Sequence, residues 1–137
     1  SGKEPVAVSG YHEKSHPDIF KEVDETTIFT MEFADGSRAD CGASVVRGFN
    51  YFKANCKEGW YQLKPMQSYS GVTGTASNGE TLPAISAMQQ TLQMDNDAKA
   101  ILGTGPALVT AGDALRDVKI INAIFKSAET GEQVLLD

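Results

Sequence analysis

Apolar residues recur every second position through the first half of the chain and every third or fourth through the second half. Between residues 23 and 33, Phe29, Met31 and Phe33 alternate with Ile28, Thr30 and Glu32, the period of a half-buried strand. Asp35-Gly36 supplies a hairpin turn, because glycine accepts positive φ without steric cost. The return strand, residues 37–46, places Ala39, Cys41, Ala43 and Val45 on one face and Arg38, Asp40 and Ser44 on the other. Residues 5–11 read as a short strand. Residues 50–56 and 60–64, joined by the turn Lys57-Glu58-Gly59, continue an antiparallel meander. One face of that meander is small and apolar, suited to a helix cover, and the other is polar.

The second half reads as helices. A Gly/Ser/Thr/Asn-rich loop spans residues 68–81, after which Pro83 suits a first helical position, where its missing N–H costs nothing. Ile85, Met88, Leu92 and Leu102 mark an apolar stripe that stops at Gly103. Thr110-Ala111-Gly112-Asp113 has capping-box form, and Leu115, Val118, Ile121, Phe125 and Ala128 give a core-facing stripe. Gly131 ends this helix, and residues 134–136 add a last strand. Strands followed by helices on one face predict an α+β fold. With no internal repeat and no interdomain linker, residues 1–137 read as a single domain.

Charge narrows the partners. A net charge of −6 across 137 residues argues against nucleic acid and anionic membrane, both of which call for basic patches. No apolar run approaches the roughly 20 residues of a membrane span, and no secretion signal is legible. Residue 1 is Ser rather than Met, so the natural start is expected upstream. The compartment stays open: cytoplasmic, or periplasmic if a leader was removed. Were residues 38–56 a hairpin turning at Gly48-Phe49, Cys41 and Cys56 would face each other and a disulfide would be conceivable. Without a secretion signal, two small apolar residues packed on a sheet is the expected arrangement.

Three motifs invite chemistry. His12-Glu13-Lys14-Ser15-His16 has the spacing of a zinc-protease helix, in which two histidines one turn apart hold the metal. Here a strand runs into the motif and Pro17 biases His16 away from helical geometry, so no metal site is expected. Gly103-Thr104-Gly105 closes a helix, whereas a dinucleotide turn opens one. Asp95 lies near the first apolar stripe and reads as a capping or bridging carboxylate. No catalytic, cofactor-binding or metal-ligating residue is therefore assigned.

Four stretches in order carry a family resemblance. They are residues 23–36; Lys57-Glu58-Gly59-Trp60 with Leu63-Lys64-Pro65 and Ser68-Tyr69-Ser70-Gly71; residues 89–101 with Met94-Asp95 inside; and residues 111–136. Together they resemble the C-terminal domain of the glucose–fructose oxidoreductase / inositol dehydrogenase (Gfo/Idh/MocA) family. The resemblance implies an open, mainly antiparallel β-sheet with helices packed on one face and the other face available for dimerisation. It also implies a parent enzyme that uses NAD or NADP on a sugar, polyol or related carbonyl compound. The family's N-terminal Rossmann domain and its catalytic Glu-Lys-Pro find no counterpart here. The family segment that follows the last catalytic group resembles Gly2-Lys3-Glu4-Pro5-Val6. The chain alone is thus expected to bind no nucleotide and to be inactive.

What remains of the family's pocket is the segment Arg47-Gly48-Phe49-Asn50-Tyr51, which in relatives faces the substrate. Arg47, Phe49, Asn50 and Tyr51 are the substrate-binding candidates; a plain surface turn is the competing reading. The polar residues Arg38, Asp40, Ser44, Lys53 and Asn55 suit a homo-oligomeric contact through the open sheet face. The alternative for the whole chain is a free-standing binding or assembly domain without catalysis.

Overall fold

Ten elements follow one another in a computed structural model that describes residues 2–69, 71–85 and 87–137. In order they are β1 (Pro5–Glu13), β2 (Thr26–Phe33), β3 (Arg38–Ser44), β4 (Phe52–Cys56), β5 (Gly59–Leu63), β6 (Val72–Ala76), β7 (Thr81–Ile85), α1 (Gln89–Ile101), α2 (Ala111–Thr130) and β8 (Val134–Leu135). The fold is α+β with open antiparallel sheets, as the pattern predicts. The meander divides, however, into two four-stranded sheets, ordered β3-β2-β1-β8 and β4-β5-β6-β7. Two compact units result, Ser1–Phe49 with Ala111–Asp137 and Asn50–Thr110.

In the first unit, alternation along β2 separates the faces as expected. Phe29 and Met31 pack with Ile120, Val134 and Leu136 against a buried core of Val8, Ala123 and Ile124. Burying an aliphatic side chain of this size contributes about 1.5–3 kcal/mol. Helix α2 buries a different stripe from the one the sequence suggests. Ala123, Ile124 and Ser127 face the sheet, while Leu115, Val118, Ile121 and Phe125 are exposed. The reason is close approach: a Cβ built on Gly10 of β1 would stand 3.4 Å from Ile124 Cγ2. The small side chains of Ala123 and Ser127 let the helix settle there. Ser127 Oγ also accepts from Gly10 N at 3.0 Å and donates to Glu132 O at 2.6 Å. It thereby serves a strand N–H beyond the reach of β8, which pairs only with Ala7 and Val8.

The hairpin over residues 38–56 that would set Cys41 opposite Cys56 does not form. Strand β3 pairs with β2, setting Cys41 opposite Phe29, whereas β4 pairs with β5. Ser44 Oγ turns the chain out of the sheet by accepting from Val46 N at 3.1 Å and Arg47 N at 3.0 Å. Both cysteines are free thiols.

In the second unit, the residues read as a loop and a helix start form the β6–β7 hairpin. Ala76 O accepts from Gly79 N, and Glu80 O accepts from Ala76 N at 2.9 Å. Gly79 takes φ +87°. This is a type I turn with a glycine bulge, and Asn78-Gly79 was its signal. Pro83 therefore sits in β7, an edge strand, where its missing N–H breaks no ladder. Helix α1 ends as expected at Gly103 (φ +69°). Gly103 N donates to Ala100 O and Thr104 N to Lys99 O, the two bonds of a Schellman cap. No residue of α1 is buried, and Met88, Leu92 and Leu102 of the expected stripe are exposed. The Ile85 side chain and Ser70 lie outside the described residues.

Candidate functional site

The chemistry-bearing residues of the first unit gather at one end of its sheet, where β1 finishes, β2 begins and β3 finishes. His12, Thr27 and Ala43 lie side by side across the three strands, as do Glu13, Thr26 and Ser44. Strand alternation sends the two rows to opposite faces. This geometry disposes of the metalloprotease motif, since His12 and Glu13 are consecutive strand residues and no turn of helix joins His12 to His16. Among the described residues no three His, Cys, Asp or Glu converge on a common point.

On the α2 side, His12 Nδ1 lies 2.9 Å from Thr27 Oγ1, and Thr27 Oγ1 donates to Asp24 Oδ2 at 2.5 Å. The Thr27 bond holds the Asp24 carboxyl below its usual range, against a smaller opposing effect of burial. The Phe125 ring tilts against the imidazole with centroids 5.1 Å apart. Farther along the same face, Phe29, Met31, Phe33, Ile120, Ile121 and Ile124 line an open groove of about 590 Å³. On the opposite face, Arg47 Nη2 lies 2.5 Å from Glu13 Oε2. That oxygen is buried and accepts no hydrogen bond, so the Arg47 charge is its partner. Phe49 covers Gly42, whose built Cβ would stand 3.0 Å from the ring and 3.1 Å from Ile28 Cδ1.

The remaining two candidates belong to the second unit. Asn50 holds the chain after β5: Oδ1 accepts from Met66 N at 3.0 Å and Gln67 N at 2.8 Å, and Nδ2 donates to Gln67 O at 2.9 Å. Tyr51 is half exposed. Arg47 and Asn50 thus have protein partners and Phe49 is packed, whereas no polar partner of the Tyr51 hydroxyl is found among the described residues.

Two residues escaped the sequence reading. Glu25, buried, accepts from Ser15 N at 2.8 Å and His16 N at 2.7 Å through Oε2, and its Oε1 lies 3.1 Å from His16 Nδ1. Burial pushes its pKa up, but the bonds from His16 and Ser15 outweigh it and leave the pKa lowered. Its only sequence signal was an acidic residue just before a strand. Asn96 performs the bridging expected of Asp95, donating to Pro106 O at 3.1 Å and accepting from Leu108 N at 3.2 Å. Asp95 itself is exposed. Burial and the Asp40 charge push the Cys41 thiol pKa up, which disfavours the thiolate that a nucleophile needs.

No protein-family model matches the sequence. Aldose–aldose oxidoreductase from Caulobacter crescentus, solved with glycerol, superposes with a TM-score of 0.87 at 30% identity. The match covers 98% of this chain and 42% of that one. The fold is that of the C-terminal domain of the glucose–fructose oxidoreductase / inositol dehydrogenase family. Myo-inositol 2-dehydrogenase from Lactobacillus plantarum shares it (TM-score 0.68, 20% identity, 100% of this chain and 44% of that one). So does the WlbA dehydrogenase from Bordetella pertussis, solved with NADH and UDP-GlcNAcA (TM-score 0.62, 15% identity, 98% and 39%). The chain therefore spans less than half the length of each of these relatives. Within the family domain, the four sequence motifs correspond to β2 with its turn, the β4–β5 region, α1, and α2 with β8. No helix among the described residues is long and apolar enough to cross a membrane.

Proposed function

We propose that this chain is the substrate-side and assembly domain of a nicotinamide-dependent oxidoreductase acting on a sugar, polyol or related carbonyl compound. The observation that carries the reading is the 30% identity and 0.87 TM-score to an aldose–aldose oxidoreductase over 98% of the chain. The residues present do not fit the nicotinamide dinucleotide itself. Gly103 and Thr104 close α1 with a Schellman cap, so the Gly103-Thr104-Gly105 turn offers no helix N-terminus to a pyrophosphate. In this reading cofactor binding and hydride transfer fall outside these 137 residues, and the chain alone is inactive.

The chain's own part is recognition and assembly, its two units serving as one domain of the parent. Arg47 offers a guanidinium to substrate oxygens once it leaves Glu13, and Tyr51 offers a ring and a hydroxyl. Phe49 and Asn50 hold the neighbouring backbone of their own units. The face of the first sheet opposite α2, carrying Ser9, Thr30, Arg38 and Asp40, is the homo-oligomer surface; polar faces of this kind suit a wet, symmetric contact.

The test is to express the complete coding unit and follow nicotinamide reduction with D-glucose and myo-inositol, beside the 137-residue chain. Reduction by the complete protein and none by the chain is expected. A complete protein that oxidises no sugar or polyol overturns the reading and leaves a binding or assembly domain.

A further inference from the structure

The hydrogen-bond chain at the end of β1 constrains the state of His12. A carboxylate only accepts, so the single Thr27 hydroxyl proton goes to Asp24 Oδ2 at 2.5 Å. The Thr27 oxygen must then accept from His12, 2.9 Å away, and the proton of a neutral imidazole is held on Nδ1. That leaves Nε2 with a free lone pair. No protein partner for Nε2 is found among the described residues. Nor is it a buried orphan, because Glu13 Oε2 is the only buried side-chain nitrogen or oxygen without a hydrogen bond among them. It is therefore not fully buried, and His12 as a whole is half-buried.

The surroundings suit an amphipathic ligand. Phe125 braces the imidazole and presents an exposed apolar ring beside it. Ala43, two strands away in the same row, is exposed and too small to close the floor. We propose that His12 is a hydroxyl-recognition residue, its Nε2 accepting from a sugar or polyol hydroxyl while Phe125 meets a C–H face of the same molecule. Thr27 and Asp24 are positioning residues that fix the tautomer. The choice of sugar or polyol as ligand class rests on the proposed function; the tautomer does not.

Long-range proton–nitrogen NMR of the chain reads the tautomer directly. The expected result is a neutral His12 protonated on Nδ1, with Thr27→Val shifting it toward the Nε2–H form that a free imidazole favours. A wild-type His12 protonated on Nε2 overturns the inference. Titration with myo-inositol and D-glucose should then move the His12 Nε2 resonance and the Phe125 ring resonances saturably, with affinity lowered at least fivefold in Thr27→Val and, read at Phe125, lost in His12→Ala. An unmoved resonance overturns the ligand assignment. If the complete protein oxidises sugars while His12 stays silent, this inference alone falls. If His12 binds polyols while the complete protein oxidises none, the oxidoreductase reading falls and this one stands.

Discussion

The Arg47 guanidinium is the partner of a Glu13 carboxylate oxygen that is buried and accepts no hydrogen bond, 2.5 Å away. A residue that the sequence offers to a substrate is thus already engaged by the acidic residue of a false metalloprotease motif. Both side chains are partly exposed, so solvent screening limits the pair to about 0.2–1 kcal/mol. A double-mutant cycle with Glu13→Gln and Arg47→Gln, read by urea denaturation, should return a coupling of that size. Zero coupling would make the contact incidental. If Arg47 also serves the substrate, Glu13→Gln should raise sugar affinity by freeing the guanidinium.

Acid should loosen the loop that follows β1. Glu25 has a pKa below its ordinary value, so its contribution is present above the ordinary carboxylate range and is lost as pH falls through the lowered folded value. Asp24 has the same sign. Protection factors at Ser15 and His16, taken relative to intrinsic exchange at each pH, are expected to fall on acidification below that range, and Glu25→Gln should already show low protection at neutral pH. Protection that persists in Glu25→Gln would mean that the carboxylate does not hold the loop.

Ile124→Ala should destabilise the first unit by about 2–5 kcal/mol, since it empties the contact between α2 and the Val8 row. Leu115→Ala, on the stripe that the sequence favoured, should change stability far less because Leu115 is exposed. Thermal unfolding of the two variants decides which stripe is the core. A larger loss for Leu115→Ala would reverse the assignment.

A methyl group on Gly74 would stand 2.4 Å from the Gln62 carbonyl oxygen of β5, with Leu63 and Leu82 side chains also under 3.0 Å. The backbone contact leaves no room to relax, so Gly74→Ala should cost at least about 1–3 kcal/mol and weaken the β5–β6 ladder. Hydrogen exchange at Lys64, whose N–H bonds Thr73 O at 3.1 Å, reports it. Unchanged protection there would show that the sheet tolerates the side chain.

Much of this protein was legible before folding. Period-two alternation fixed the faces of β2 and β3, and Gly103 and Gly131 fixed where both helices stop, because these depend on local sterics and side-chain direction alone. The ordered motifs also carried the family, through residues whose spacing follows from those same elements. Which strands pair was not local: Ser44 turns the chain out of the first sheet, and the Asn78-Gly79 hairpin draws Pro83 into an edge strand. Nor was the buried stripe of α2, because two apolar stripes compete and the choice depends on Gly10 lying under the helix. The site shows the same division. His12, Glu13, Thr27, Asp24 and Arg47 were all visible as polar residues, but their pairing is a matter of strand register. Only the tertiary structure brings residues from two strands, two loops and a helix within hydrogen-bond and ring-contact distance of one another.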